Sequence, residues 1–545
     1  MICRAANALW LASCLPEAAR FHRALEHVRE EQELVLQRLL QRNADTEFGR
    51  QHGFAAMASV RDYQERVPLR TFEEYRASIE RVADGAANVL TREAVRLLEP
   101  TSGTSLSGGA TKLVPYTASL QREFQRAIQP WIADLFRHDS ELMGGRAYWS
   151  VSPVVTANAR SRGGIPIGFE DDASYAGVWQ RRLVSAVMAV PSDVRQIVDV
   201  DAFRRATLLA LVRSESLRII SVWNPTFLTL LVDRFDELAD VLERDPALNP
   251  QRRQALRRAL GAATRGERHA ILWPDLRLVS CWTDGRAADA AARLVGLFPQ
   301  ARIQGKGLIA TEAFVSLPLV GHEGAALAVR SHFLEFAPIG TEDKASADPP
   351  RLAHELDCGQ RYAVIVSTGG GLYRYQLQDV VEVVGRLRHC PLIRFVGRQG
   401  CVSDQFGEKL NEAHVAAVLR GEFDRFAISP AFAMLACDLA LETPAYVLYI
   451  DSNAPLDVLD RLATTVDSRL RESFHYDYAR RLGQLGPLQA FRAVNGEAAY
   501  VDAEIRRGRR AGDVKPLALS QRTDWSRVMQ GSYATSQDRC DRRAS

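Results

Sequence analysis

The chain has 545 residues, of which 47% are hydrophobic and 25% charged, and its formal net charge is +3. This length exceeds one ordinary hydrophobic core and predicts two or more domains, while the small net charge excludes bulk nucleic-acid binding. No uncharged apolar run approaches twenty residues, which excludes a membrane span.

Cysteine and lysine usage are both informative. The eight cysteines are scattered without a Cys-x-x-Cys pair, so no zinc signature or disulfide framework is indicated, and reduced thiols in a cytoplasmic protein fit best. Of the 69 lysines and arginines, five are lysines. These positions are candidates for sites that need a compact, flexible ammonium. The alternative is chance survival on the surface, which Lys344 fits. The five lysines are Lys112, Lys306, Lys344, Lys409 and Lys515.

The N-terminal part of the chain reads as mainly helical. Apolar positions from Pro16 to Gln41 keep a helical spacing and predict one long amphipathic helix. A second helix is predicted for Thr117–His138, with a kink at Pro130. A short strand, Ala94–Leu98, is expected between them.

A stretch rich in hydroxyl side chains and glycine follows that strand. Residues Thr101–Thr111 hold six hydroxyl side chains and three glycines, and Lys112 comes next. Such a loop can wrap a polyphosphate with backbone N–H groups, hydroxyls and an ammonium. A flexible surface loop is the equally weighted alternative. The spacing fits neither a P-loop nor the Gly-x-Ser-x-Gly elbow of a hydrolase.

Strands alternate with helices through the middle of the chain. Predicted strands at 147–153, 217–222 and 276–282 each end in a polar or glycine-containing turn. This pattern predicts an α/β fold with ligand chemistry at the strand ends. Beyond about Gly397, strands at 432–437 and 446–450 around helices indicate a small α+β domain.

Two further stretches carry residues suited to nucleotide chemistry. Thr311 and Glu312 pair a hydroxyl with a carboxylate that can hold Mg²⁺; a Glu at a helix N-terminus is the plainer reading. Ser367–Asp379 combines three glycines, aromatic side chains and an acid that can accept ribose hydroxyls. A β-hairpin with a glycine turn and a solvent-facing Asp379 is the alternative.

The last two candidates are weaker taken alone. Arg398, flanked by Gly397 and Gly400, suits a hinge that contacts a nucleotide, and a plain linker is the alternative. Lys515 could be delivered by a mobile loop to a reacting carboxylate or phosphate, and an ordinary turn is the alternative.

Taken in order, these motifs resemble the adenylate-forming enzymes, and in particular the Gretchen Hagen family of auxin-responsive acyl acid amido synthetases and their bacterial relatives. The resemblance runs from Leu9 to about Tyr533, and it includes Asn43–Gly53 and Val222–Thr226. It rests on these motifs: Thr101-Ser-Gly-Thr-Ser105, Thr111-Lys-Leu-Val-Pro-Tyr-Thr117, Ala310-Thr-Glu312, Tyr373-Arg-Tyr375 with Asp379, Phe395-Val-Gly-Arg398 and Glu408-Lys409.

The resemblance implies roles position by position. Glu312 would hold Mg²⁺, Thr311 would lie near the acyl carboxylate and α-phosphate, and Lys515 would act in adenylation. The ATP site would consist of Ser102, Gly103, Thr104, Ser105, Lys112, Asp379 and Arg398. The acyl pocket would draw on Val151, Ser152, Gly164, Ile165 and Trp223.

The chain departs from the family pattern at three places. No aromatic residue that could stack on adenine occurs in Gly307–Ala310. Gln378 stands where the family commonly has glycine before the ribose-binding Asp, and Gly400 replaces an acidic hinge residue of related adenylation enzymes. The first two leave details of nucleotide binding open.

The resemblance therefore implies an ATP- and Mg²⁺-dependent ligase that adenylates a small carboxylic acid and transfers the acyl group to an amine or amino acid. The alternatives are an acyl-CoA ligase with the same first step and a non-catalytic ligand-binding relative. We expect a large N-terminal adenylate-forming domain with mixed sheets flanked by helices (1–396), a hinge (397–404), a small mobile α+β domain (405–532) and a disordered tail (533–545). A cytoplasmic monomer or weak homo-oligomer, without nucleic-acid or membrane partners, is expected.

Overall fold

The structure is a computed structural model. It describes residues 2–100, 112–149, 159–168, 186–197, 199–285, 287–339, 348–399, 402–403, 405–406, 408, 410–481, 483–507, 509, 514–515 and 517–534. Two compact units account for the chain: Met1–Asp284 with Ala291–Val396, and Gly285–Ala290 with Gly397–Ser545. Among the described residues, no helix combines the length and apolar character that crossing a bilayer requires.

The described helices of the first unit all lie within its first 300 residues. They are α1 (Ile2–Ala24), α2 (Val28–Asn43), α3 (Glu47–His52), α4 (Val60–Arg66), α5 (Phe72–Ala83), α6 (Ala118–His138), α7 (Val200–Arg213), α8 (Pro225–Val232), α9 (Ala239–Glu243), α10 (Pro250–Leu260), α11 (Arg265–Leu272) and α12 (Ala287–Leu297), whose first residues belong to the second unit.

The predicted helix Pro16–Gln41 is wrong as a single element, because two helices meet near Leu25. The N–H groups of Glu26 and His27 donate hydrogen bonds to the carbonyls of Arg23 and Ala24, three residues earlier. The carbonyl of Leu25 accepts a hydrogen bond from the N–H of His389 at 3.1 Å. A turn between two strands far along the chain thus occupies the Leu25 carbonyl, which would otherwise accept a hydrogen bond within a continuous helix. Helix α6, in contrast, matches its predicted bounds and contains Pro130, where the kink stays a prediction.

The described residues of the first unit form three sheets. A hairpin pairs β1 (Leu97–Pro100) with β2 (Leu113–Tyr116). Four parallel strands follow in the order β3 (Arg146–Trp149), β4 (Leu217–Ser221), β5 (Leu278–Ser280) and β6 (Arg302–Gln304). Their βα alternation is the arrangement predicted for the middle of the chain, and it brings the carboxyl ends of the strands to one edge.

The third sheet has seven strands in the order β10-β9-β11-β12-β13-β8-β7. Its members are β7 (Ser316–Pro318), β8 (Ala325–Leu327), β9 (Phe333–Pro338), β10 (Arg351–Leu352), β11 (Arg361–Ser367), β12 (Tyr375–Leu387) and β13 (Cys390–Arg398). Side chains of α1, α2 and α6 pack on it in one continuous apolar core.

The second unit is α+β. Its strands are β14 (Val402–Ser403), β15 (Leu410–Asn411), β16 (Phe432–Asp438), β17 (Ala445–Asp451), β18 (Gln489–Ala493), β19 (Leu519–Ser520) and β20 (Gly531–Tyr533). Its helices are α13 (Glu412–Phe426), α14 (Leu456–Leu470), α15 (Phe474–Arg481) and α16 (Gly496–Arg506). The five strands in the order β19-β16-β17-β18-β20 carry its own apolar core. The predicted fold class, α/β with a large N-terminal domain and a smaller α+β domain, is confirmed.

A bulge in β12 positions one of the predicted site residues. Ala363 pairs with Val380 and Ile365 with Gln376, so one residue of β11 faces three of β12. Within the bulge Gln378 has φ = +64°, the left-handed region that favours glycine. This is the position where the family pattern has glycine. The bulge buries the next residue, Asp379, whose exposed fraction is 8%.

We predict that Gln378→Gly raises the free energy of unfolding by about 0.5–1 kcal/mol, because a Cβ in this conformation is strained. Gln378→Val should lower it by more than about 1 kcal/mol, since a β-branched residue tolerates this conformation least. Urea titration measures both. Gln376→Gly, in the regular part of β12, is the matched control and should destabilise; stabilisation at both positions would contradict the interpretation.

Candidate active site

The β1–β2 hairpin fixes both ends of the hydroxyl- and glycine-rich stretch. Pro100 and Leu113 are paired across the hairpin, so the residues that flank the stretch lie next to each other. Lys112 precedes β2 and is half-buried, with its Nζ 5.4 Å from the centre of the Phe72 ring, a cation–π contact. The predicted phosphate-binding residues themselves lie outside the described residues: Ser102, Gly103, Thr104 and Ser105.

Thr311 and Glu312 form a tight turn rather than the start of a helix. The N–H of Ala310 donates to the carbonyl of Ala313 at 2.9 Å, and Ile309 pairs with Phe314. The reading of Glu312 as a helix N-terminal residue is therefore wrong. Its carboxylate is largely buried, with 8% of the residue exposed.

Two tyrosine hydroxyls hold this turn. Tyr116, the last residue of β2, donates its hydroxyl hydrogen bond to the carbonyl of Thr311. Tyr375, the first residue of β12, donates to Oε1 of Glu312 at 3.2 Å. Residues from three separate sequence motifs are thereby joined at one place in the first unit.

The three glycines of 369–371 serve packing. The N–H of Gly369 donates to Glu123 at 2.9 Å, and its carbonyl accepts from the hydroxyl of Thr117 at 2.8 Å. A Cβ on Gly369 would lie 2.6 Å from Oε1 of Glu123, and one on Gly371, where φ is +92°, would lie 2.7 Å from the Cβ of Leu90. The hairpin with a glycine turn is confirmed, whereas a solvent-facing Asp379 is wrong because that residue is buried.

The motif Tyr373-Arg-Tyr375 is mainly structural. Arg374 forms a buried ion pair with Glu335 at 3.0 Å and donates to the carbonyls of Gln64 and Val67 at 2.7 Å. The hydroxyl of Tyr75 donates to the carbonyl of Tyr373. These contacts fix the start of β12, so that Tyr375 alone of the three reaches Glu312.

The carboxyl edge of the four-stranded sheet holds a buried lysine. Lys306 follows β6, is 5% exposed and donates to Oγ of Ser221 at 2.6 Å. Its Nζ lies 5.1 Å from the ring centre of Trp223 and 5.4 Å from that of Trp131. Trp223 was expected in the acyl pocket. The scarcity of lysine in the sequence is the signal that points to Lys306, to which the family resemblance assigns no role.

Cys281, next to this lysine, is not a nucleophile candidate. Burial raises the pKa of its thiol to about 12, against an opposing effect of the Lys306 ammonium. The thiol therefore stays protonated near neutral pH, and the thiolate is the reactive form.

Of the other four residues expected in the acyl pocket, two lie within the described residues. Gly164 and Ile165 belong to a loop in which the N–H of Ile165 donates to Oγ of Ser161 at 3.1 Å. That loop runs beside β1, where Leu98 pairs with Ile167. Val151 and Ser152 lie outside the described residues.

Two predicted residues belong to the second unit. Arg398 ends β13 and is half-buried. Lys515 is exposed, while its carbonyl accepts a hydrogen bond from the hydroxyl of Tyr500 at 2.8 Å. The Tyr500 ring packs on Trp525 at 5.4 Å. The backbone at Lys515 is thus anchored, while the residue lies at the surface.

Glu408 is a structural carboxylate of the same unit. It is fully buried and accepts hydrogen bonds from the backbone N–H groups of Gln405 and Phe406 and from the hydroxyl of Tyr446. It contributes a fixed turn rather than a free acid.

Glu312 is the carboxylate that the structure places at the Thr311–Glu312 turn. Among the described residues, no three or more His, Cys, Asp or Glu side chains cluster as potential metal ligands. Mg²⁺ is commonly held by one or two carboxylates together with substrate phosphates and water. Glu312 and its tyrosine partner fit a metal of that kind.

Comparison with known proteins identifies the family. A sequence model described as GH3 family N-terminal domain matches residues 17–303, and one described as GH3 family central domain matches residues 325–398. The chain belongs to the GH3 family. The family membership that the motifs indicated is thus confirmed.

Several relatives of this GH3 protein have been named. A probable indole-3-acetic acid-amido synthetase GH3.1 of Oryza sativa subsp. japonica is 25% identical in an alignment that covers 89% of this chain and 87% of the relative. Jasmonoyl-L-amino acid synthetase JAR4 of Nicotiana attenuata is 22% identical over 407 residues, 68% of this chain and 69% of the relative.

Solved structures show the same fold. An acyl acid amido synthetase, AtGH3.15 in complex with 2,4-DB, superposes with a TM-score of 0.80 at 18% identity, covering 96% of this chain and 98% of that one. The relatives are amido synthetases, which form carbon–nitrogen bonds, and the prediction of a ligase of this type is confirmed.

We predict that Tyr116→Phe lowers the free energy of unfolding by about 1 kcal/mol, because a buried carbonyl loses its donor, and that it also lowers ligase activity by displacing Thr311. The matched control is Tyr476→Phe in the second unit, which loses a buried hydrogen bond to Asp467 of 2.6 Å. Urea titration and product formation measure the two effects. Equal losses of activity in both variants would contradict a specific role for Tyr116.

Proposed function

We propose that this GH3 protein is an ATP-dependent acyl acid amido synthetase that joins a small carboxylic acid to an amine or amino acid through an acyl-adenylate. The observation that carries the proposal is the meeting of three motifs at the Thr311–Glu312 turn, where Tyr116 and Tyr375 donate their hydroxyl hydrogen bonds. The named activities of the relatives support the amide-forming half of the reaction.

The first step forms the acyl-adenylate. A carboxylate oxygen of the acid attacks the α-phosphorus of ATP, the bond from that phosphorus to the β-bridging oxygen breaks, and pyrophosphate leaves. Thr311 would lie beside the reacting groups, and Lys112 and Lys515 would supply positive charge to phosphate oxygens. Fixed charges of this kind stabilise the charge that develops in phosphoryl transfer.

The second step makes the amide. The amine nitrogen attacks the acyl carbon, the carbon–oxygen bond to AMP breaks, and the amine releases a proton to solvent. A carboxylate does not react with amines at neutral pH, so the mixed anhydride divides a difficult reaction into two easier ones.

Nucleotide and metal binding would use the remaining residues. Ser102, Gly103, Thr104 and Ser105 are proposed to bind phosphates, and Asp379 and Arg398 the ribose. Glu312 would hold Mg²⁺, which when bound neutralises phosphate charge. The burial of Asp379 by the β12 bulge supports a fixed, preorganised carboxylate.

The acyl acid is proposed to bind at the carboxyl edge of the β3–β6 sheet. Ligands of open α/β sheets commonly bind at this edge. Trp223 contributes an apolar wall there, beside Lys306. Val151, Ser152, Gly164 and Ile165 complete the proposed set. A hinge at 397–404, a cytoplasmic location and a monomeric or weakly oligomeric state stay predictions.

The proposal is tested with a panel of carboxylic acids. We expect ATP- and acid-dependent pyrophosphate release with at least one acid, and mass spectrometry should then detect an amide when amino acids are supplied. A thioester formed with CoA in place of the amide would identify an acyl-CoA ligase. No acid-dependent release across the panel would favour a non-catalytic relative.

We predict that Lys515→Ala slows acid-dependent pyrophosphate release by about 100-fold or more, because a positive charge on the reacting phosphate is lost, while ATP binding is largely retained. Pyrophosphate release and equilibrium ATP binding measure the two effects. Lys344→Ala, in a polar stretch of the sequence, is the matched control. Normal release in the Lys515 variant would refute the assignment.

We predict that Glu312→Gln raises the Mg²⁺ concentration for half-maximal activity by about tenfold or more, because a neutral amide binds the cation more weakly. Magnesium titration of pyrophosphate release is the measurement. Glu323→Gln serves as the control, since Glu323 is exposed and pairs with Arg394. An unchanged magnesium dependence would remove Glu312 as the ligand.

A further inference from the structure

A second concave site lies between α2 and α6, and Thr311 and Glu312 are not among its lining residues. Its volume is about 360 Å³, and residues 91–93 and Gly369 also line it. Val35 and Leu39 of α2 form an apolar wall. This volume falls within the range of small-molecule sites.

Four arginines line this cavity: Arg38 and Arg42 from α2, Arg92 from the adjoining loop and Arg126 from α6. The side chains of Arg38 and Arg92 make no hydrogen bond or ion pair with any other residue in the described ranges. Arg42 donates to Oγ of Ser119 at 3.0 Å. Burial lowers the pKa of Arg126, and the charges of Arg330 and Arg38 lower it further, against the opposing charges of Glu123 and Glu17.

The two carboxylates of the cavity are already engaged by other groups. Glu93 accepts hydrogen bonds from the N–H and Oγ of Ser119, each at 2.7 Å, and from Arg122 at 2.8 Å. Glu123 accepts from the N–H of Gly369 and from Nδ1 of His332, each at 2.9 Å. The acids therefore bind backbone and neighbouring side chains, and the arginines keep an excess of positive charge.

From this arrangement we infer that the α2–α6 cavity binds a small phosphorylated anion. Guanidinium groups bind phosphate oxygens through paired, charge-assisted hydrogen bonds, and four of them line this one open cavity. Such an anion would supply negative charge to balance the positive charges of Arg38, Arg92 and Arg126. The inference does not depend on the proposed amide-forming reaction.

Hydrogen exchange measured by mass spectrometry on the full chain tests this inference, with inorganic pyrophosphate as the probe. We expect pyrophosphate to slow exchange in residues 35–43 and 119–126. In Arg38→Gln/Arg92→Gln, binding at this site should weaken by about tenfold or more, because two charge-assisted contacts are lost. The same variant should keep acid-dependent pyrophosphate release, since neither residue belongs to the proposed catalytic set.

The control is Arg29→Gln/Arg61→Gln, which removes the same charge from two exposed arginines paired with Glu33 and Glu65. Protection that is lost only in the cavity variant supports the site. Equal weakening in both variants, protection confined to residues 112–117 and 309–314, or no protection anywhere would overturn it. Equal protection by acetate at the same ionic strength would overturn the assignment to a phosphorylated ligand.

Discussion

The turn at Thr311 and Glu312 depends on two buried tyrosine hydroxyls. Neither β2 nor β12 is adjacent to this turn in sequence, and each contributes one hydrogen bond that joins it to the rest of the first unit. A buried donor or acceptor without a partner is costly, so the two tyrosines couple the position of the turn to the stability of both strands. Strand β2 thus follows directly on Lys112 and ends at Tyr116, whose hydroxyl binds the Thr311 carbonyl, whereas the Glu312 carboxylate is held from β12.

The first unit uses its basic side chains in distinct ways. Arg374 is buried in an ion pair with Glu335 and binds two backbone carbonyls, which a planar guanidinium does well. Lys306 instead occupies a narrow space between tryptophan rings and a hydroxyl. The α2–α6 arginines form a third group that faces an open cavity. Each environment matches the shape of the cation that occupies it.

Sequence reasoning reached the family, the α/β class and the motif residues because hydrophobic periodicity and short motifs are local signals. It failed where distant residues decide the outcome. The break between α1 and α2 depends on a hydrogen bond from His389 to Leu25. The burial of Asp379 depends on a bulge whose left-handed residue is Gln378 rather than the glycine that would have signalled it. Glu312 lies in a turn fixed by tyrosines far along the chain.

The scarcity of lysine has a practical consequence for chemical labelling. Reagents that acylate amines have few side-chain targets in this chain, since guanidinium groups do not react with them and five lysines are present. Among the described lysines, Lys306 is buried, Lys112 is half-buried against Phe72, and Lys515 is exposed. Of these three lysines, Lys515 is therefore the one that an amine-directed fluorophore should modify most readily.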